Sequence, residues 1–506
     1  MQTRTLGYPC LAALLILLAL TAPATAQAPL HSASALLTPH PGTISRTSPH
    51  PLPGRAQRAS IFNVQASHNG PQPANETAIA TNPLNNQNWV SSANDYNCTA
   101  SLIGAYATTN AGRSWTGTCL PALPGLQGCG QSSATFDLNG TAYLAGIDWT
   151  SCFNGYGPSA VELATSTNNG VTWSAPHAAI TSYYPGGLVA NDDIAVDATS
   201  SSPFANRIYI STTQYDSTFT DSTIQVGYST DGGMTFHTAN ITTATFPTID
   251  QFSDLAVAAS GTVYVAWFTC TAGGTSMSCA GSAGKNEFFS IARSTDGGIT
   301  WSQPVKIATT TPFPSACSQF FGTLPNTCVR VSNRPLLAVD NSNGKFAGRL
   351  YCVYQNWNGT SGDILVKIST DGGITWNGPV KIDSGTNGHD TFMPAIAVSP
   401  NGTVAVTWLD RRNDPANKDY ENFGAGSTNG GATWTTNTQI STAESNPCIG
   451  PFFCSFIGDY IGAAWVGTAG LITAYCDTRT GQQVDEIGIV SLHPLPQNTS
   501  ALPERD

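Results

Sequence analysis

Ser294-Thr295-Asp296-Gly297-Gly298-Ile299-Thr300-Trp301 is the stretch on which the fold reading turns. It returns almost unchanged from Ser369 to Trp376, and more loosely at Thr108 to Trp115, Ser166 to Trp173, Ser229 to Phe236 and Ser427 to Trp434. A unit that recurs about every 60–75 residues predicts a repeat architecture. Its letters describe a β-hairpin turn. Asp or Asn bonds the backbone of its own turn, Gly supplies the left-handed conformation of a tight reversal, and the aromatic residue opens the next strand and plugs the gap beneath. Asn stands for Asp at Asn110, Asn168 and Asn429. A structural turn tolerates that exchange, and a catalytic carboxylate does not.

This motif is the Asp-box, and the chain resembles the Asp-box (BNR) proteins of the sialidase superfamily. The resemblance implies a β-propeller. It is far less specific for activity, because one fold serves many chemistries.

Upstream of each box the same order returns: an apolar strand, a second strand rich in Tyr, Val and Trp, and a third that runs into the box. Asp193 to Asp197, Arg207 to Ile210 and Ile224 to Tyr228 show it before the box at Ser229. After the sixth box, Asp459 to Trp465, Leu471 to Cys476 and Glu486 to Leu492 form one further set without a box. A three-stranded remnant leaves a sheet edge open. Ser60 to Val64 can fill it and join the two ends of the chain, so the expected fold is an all-β propeller of seven four-stranded blades. Six blades with an accessory hairpin are the alternative.

Residues 1–26 read as a secretory signal: Arg4, the apolar run Leu11 to Leu20, then Ala24-Thr25-Ala26. Residues 27–58 read as a Pro- and Ser-rich leader, 59–493 as the propeller and 494–506 as a tail. The expected location is therefore secreted or periplasmic, with no integral membrane segment in the mature chain. Only 10% of the residues are charged, and a formal net charge of −11 argues against nucleic acid as a partner. Cys10 leaves with the signal. The remaining twelve of the 13 cysteines suit disulfides in an exported chain. The preferred pairs are Cys98–Cys119, Cys129–Cys152, Cys270–Cys279, Cys317–Cys328 and Cys448–Cys454. Cys352 and Cys476 lie in strands, either paired or free.

Because the box joins strands three and four, all boxes share one face of the disc. The starts of first strands and the ends of second strands lie on the other. That face collects Glu76, Asp193, Asp254, Arg334, Asp459 and Tyr460, and also Trp357, Asp410, Arg411, Asp477 and Arg479. Arg334, Arg411 and Arg479 come from consecutive blades, and three guanidinium forks suit the carboxylate of an acidic sugar. Tyr460 beside Glu76 or Asp459 is similar to the sialidase Tyr–Glu nucleophile pair, the exception to two-carboxylate glycoside hydrolysis. The family's Arg-Ile-Pro element is missing, and Arg334-Pro335 is its nearest counterpart.

The expected function is an exported sialidase-like glycoside hydrolase acting on a terminal acidic sugar, as a monomer with a glycan partner. One alternative is a non-catalytic propeller binding glycan or protein on the same face. Another is a lyase or hydrolase of neutral polysaccharide. No cofactor is expected. Calcium at Asp414, Asn417, Asp419 and Glu421 is left open, although their spacing fits no loop template.

Overall fold

A computed structural model describes residues 60–491 except 68–69, 100, 153–156, 272–286, 318–321, 386–387 and 469. The signal, the leader, the tail and Cys279 lie outside the described residues. Strands and turns make up the described chain, with no helix among its residues. It folds as a propeller of seven four-stranded antiparallel sheets.

Blade one is Ala74–Thr81, Trp89–Asp95, Ile103–Thr108 and Thr116–Cys119. Blades two to six repeat this meander, with inner strands Gln127–Phe136, Leu188–Val196, Thr248–Val257, Leu336–Val339 and Thr391–Val398. Each inner strand touches the inner strands of the neighbouring blades, and Gly462–Val466 of blade seven closes the ring onto blade one. The fourth strand of blade seven is Ser60–Gln65, paired antiparallel with Val484–Ser491 in the register Ile61↔Val490 to Gln65↔Glu486. The seven-bladed expectation therefore holds, and the six-bladed alternative does not. The N-terminal strand gives blade seven its fourth strand and sits on the rim.

The box turns follow one hydrogen-bond scheme. Gly298 N donates to Ser294 Oγ at 2.8 Å, Thr300 N to Asp296 Oδ1 at 2.9 Å, and Thr300 Oγ1 to Asp296 Oδ2 at 2.5 Å. Between blades, the boxes of blades two to six are each pegged by a side chain from the blade before. Asn88 donates to Asn169 O at 2.8 Å, Arg207 to Gly297 O at 2.5 Å, Arg293 to Gly372 O at 2.7 Å and Arg349 to Gly430 O at 2.6 Å. His177 Nε2 lies 2.7 Å from Gly233 O. The second box glycine lets the turn approach that neighbour. At Gly233 (φ +90°) a Cβ would stand 2.7 Å from the Leu163 side chain.

Disulfides Cys98–Cys119, Cys129–Cys152, Cys317–Cys328 and Cys448–Cys454 form as expected. Cys352 and Cys476 are free and buried. The last two disulfides staple the long connections before blades five and seven, and these connections meet. Cys328 N donates to Cys454 O at 3.1 Å and Arg330 N to Ser455 O at 3.0 Å.

Candidate functional site

The inner strands are longer than their apolar runs suggested, because five of them carry a bulge. The register jumps between Asn75 and Ala78, Gly130 and Ser133, Ala190 and Asp193, Gln251 and Asp254, and Phe392 and Ala395. At each jump a non-glycine residue is left-handed: Glu76, Gln131, Asn191, Phe252 and Met393, with φ between 46° and 58°. Bulges bend a strand and re-aim its side chains. They lie at the end of the strand away from the boxes, since Ala74 pairs with Asp95 there while Trp89 pairs with Thr108 at the box end. Nothing in the sequence marks these positions, because the residues in them share no chemistry.

Immediately after the bulges the inner strands enclose an axial cavity of about 220 Å³, lined from all seven blades. Its polar wall is Ser133, Asp192, Asp193, Asp254, Arg334 and Tyr460. Asp193 Oδ2 accepts Leu255 N at 2.8 Å, and Asp254 Oδ2 accepts Leu337 N at 2.7 Å, so each carboxyl is held by the backbone of the next blade. Asp192 Oδ2 accepts Ser133 Oγ at 2.8 Å, and its Oδ1 has no partner. The Arg334 guanidinium lies over the Tyr460 ring at 4.7 Å and the Phe252 ring at 5.9 Å. Burial pushes Asp192 up to about 8 and Asp193 up to about 6. Burial and then the neighbouring Asp193 hold Asp254 well above the carboxylate range.

Behind this wall sits a group centred on Arg330, which sequence reasoning passed over because it belongs to the stapled connection and to no blade. Arg330 grips Asp459 with Nε at 2.8 Å and Nη2 at 2.7 Å, and its Nη2 stands 3.6 Å from Glu76 Oε1. Asn94 donates to Glu76 Oε2 at 2.6 Å. Burial, then Asp459, push Glu76 up to about 8 against these partners. Tyr460 donates its phenol proton to Ser132 O at 3.1 Å, and burial with Glu76 and Asp192 nearby raises that phenol well above its usual value.

The structure thus gathers Glu76, Asp193, Asp254, Arg334, Asp459 and Tyr460 around the axis. It does not gather the others. Arg411 is fully buried and bolts the stapled connection to blade six, donating to Pro325 O at 2.9 Å, Asn417 O at 3.0 Å and Thr327 Oγ1 at 2.9 Å. Arg479 is held by Asp477 at 2.7 Å and reaches Thr442 at 2.7 Å and Asn63 at 3.2 Å, which ties blade seven together at its rim. The convergence of Arg334, Arg411 and Arg479 expected from equivalent blade positions is therefore absent: two of the guanidiniums are spent on loop and rim carbonyls, hydroxyls and carboxylates. Asp410 accepts from Trp408 Nε1 at 2.8 Å and pairs with Arg412 at 2.5 Å. Trp357 packs on Phe313 at 5.2 Å, away from the cavity. At the loop considered for calcium, Asp414 caps its own turn through Ala416, Lys418 and Asp419 N–H groups at 2.7–2.9 Å. Among the described residues no set of three or more His, Cys, Asp or Glu is placed to hold a metal ion.

Residues 292–303 and 367–377 match the BNR/Asp-box repeat family. This chain carries Asp-box repeats. No curated protein matches the Asp-box chain in sequence. Solved structures similar to it include a protein of unknown function from Dyadobacter fermentans, at 12% identity and TM-score 0.45, covering 86% of this chain and 99% of that one. The Fusarium graminearum α-L-arabinofuranosidase Arb93A, seen with an iminosugar inhibitor, has 12% identity and TM-score 0.44, covering 73% and 94%. The NanB sialidase of Streptococcus pneumoniae has 12% identity and TM-score 0.43, covering 70% and 67%. Likeness at this level says nothing about what the Asp-box propeller binds. Among its described residues no helix is long and apolar enough to cross a membrane.

Proposed function

We propose that this propeller engages the terminal unit of a glycan in its axial cavity and acts there as an exported glycoside hydrolase. The observation that carries the reading is the convergence of Asp193, Asp254, Arg334 and Tyr460, from four blades, on one small polar cavity. At about 220 Å³ it falls below the roughly 300–1,000 Å³ of drug-sized sites, which suits one small polar unit. The hydrolytic part rests on two carboxyls pushed apart in acidity: Asp254 stays protonated as the acid, and Asp193, at about 6, is ionised as the base at neutral pH. Tyr460 then forms wall and not nucleophile, since its proton is held by Ser132 O.

A panel of aryl glycosides, α-sialosides included, tests the reading with the purified protein. Asp254→Asn and Asp193→Asn should each lower turnover by about 10²–10⁴-fold, while Tyr460→Phe stays within a few-fold. Collapse of turnover in Tyr460→Phe would instead restore the sialidase-type mechanism. The second reading is a binding propeller without catalysis. It is favoured by the loss of Arg411 and Arg479 from the site, and it predicts saturable glycan binding with no released leaving group.

A further inference from the structure

Within the reading that the axial cavity holds a glycan terminus, we infer that it is built for a unit bearing an ammonium, the free amine of an amino sugar, and that it turns away carboxylate sugars. The wall sets three carboxyls, Asp192, Asp193 and Asp254, against one guanidinium, that of Arg334. Asp192 is 5% exposed and lines the cavity, with Oδ2 held by Ser133 and Oδ1 left without a hydrogen-bond partner. A buried acceptor of this kind calls for a donor. A sugar hydroxyl supplies a donor without charge. An ammonium supplies three donors and the charge that balances the excess of acid. A carboxylate would find one partner, the Arg334 guanidinium, whose Nε has no hydrogen bond, and would add a fourth acid to the three of the wall.

The charge state of the wall follows the ligand. Asp192 and Asp193 of blade three and Asp254 of blade four face the cavity, with Arg334 ahead of blade five and Tyr460 ahead of blade seven. Glu76, Asp459 and Arg330 stand behind them. Blades one, two and six present only Thr77, Ser132, Ser133 and apolar residues. Since burial favours the protonated carboxyls, binding an ammonium displaces their protons. Affinity for the amine therefore rises from pH 5.5 to pH 7, and affinity for a neutral sugar does not.

Calorimetric titration of the full chain with methyl glycosides of glucosamine, glucose and glucuronic acid tests this. The amino glycoside should bind about tenfold or more tightly than the neutral one, with affinity rising between pH 5.5 and 7, and the glucuronide should not bind. Asp192→Asn should abolish the preference for the amine and its pH dependence. Equal affinity for amine and neutral sugar, tighter binding of the glucuronide, or an amine affinity flat with pH would each overturn the inference. The wild-type comparison alone decides, should Asp192→Asn not fold. A neutral or acidic glycoside that binds and competes with the aryl substrates sinks this inference and leaves the glycan reading standing. Failure of all three glycosides together with the whole aryl panel sinks both.

Discussion

At the scale of single residues, the exchange of Asp for Asn in the boxes has a simple cause. In the Asp copies the Thr hydroxyl donates to the carboxylate, as Thr375 Oγ1 does to Asp371 Oδ2 at 2.5 Å. In the Asn copies the direction reverses, and Asn429 Nδ2 donates to Thr433 Oγ1 at 2.7 Å. A hydroxyl serves either way, so the turn survives. Donors around Asp296, led by Thr300, lower its carboxyl to about 2. A depressed carboxyl contributes stability above its unfolded value near 3.8 that is lost as pH falls towards 2. Asp296→Asn should therefore leave the unfolding midpoint unchanged at pH 7 and remove part of the acid lability below pH 4, read by circular dichroism melts. The arginines separate in the same way. Removing the buried Arg411 as Arg411→Ala takes away the counter-charge of Asp390, 3.5 Å away, and frees the connection held at Pro325 and Thr327. It should cost about 3–5 kcal/mol in denaturant unfolding. Arg334→Ala, on the cavity wall, should cost far less stability and most of the ligand affinity.

At the scale of the element, a box is both the end of its own hairpin and the surface on which the previous blade rests. Trp301 packs against a cluster that includes Tyr209 and Val226 of blade three and Leu255 of blade four. It is half-buried, so Trp301→Ala should destabilise by about 2–3 kcal/mol, below the about 3–5 of a fully buried aromatic. The peg from Arg293 to Gly372 O joins blades four and five. Arg293→Met keeps the stem and loses the peg. About 1–2 kcal/mol should go with it, seen as earlier hydrogen exchange in the third strand of blade five, Gly362–Ser369, while activity of the folded protein is unchanged. A selective loss of activity would show that the box face is not remote from the site.

At the scale of the whole molecule, the ring depends on its N-terminal strand. Asn63 donates to Ile440 O at 3.1 Å and accepts Thr442 N at 2.5 Å, which stitches the closing strand to the end of blade six. Deleting residues 60–66 should lower stability by several kcal/mol through lost ladder bonds and burial, and should expose an edge that promotes association. A truncated protein that melts as before and stays monomeric would mean that closure is dispensable. The buried acids set the opposite flank of the pH profile. Burial raises Glu76 to about 8, Asp192 to about 8 and Glu486 to about 7. Such groups contribute stability that is complete below their unfolded values near 4 and is lost as pH rises through 7 to 8. Together with the boxes they place maximum stability at about pH 4, and melting at pH 8 should be clearly lower.

The repeated Ser-Thr-Asp-x-Gly pattern determined the blades, the face carrying the turns and, through the boxless remnant, the count of seven, because turn chemistry and strand alternation are local and each is written within a few residues. The site was only half legible for the opposite reason. Glu76, Asp254, Arg334 and Tyr460 were visible because they stand at or just before the apolar runs of the inner strands, whose height on the disc follows from topology. Which guanidinium reaches the axis was not visible. Arg411 and Arg479 occupy equivalent heights, yet one is drawn under a stapled connection and the other onto Asp477. Arg330 enters from a segment with no blade position at all. Bulges at residues as unlike as Glu76 and Met393 then re-aim the inner strands. Those outcomes depend on which partners the folded chain brings within hydrogen-bond reach, and partners hundreds of residues apart in sequence are set only by tertiary structure.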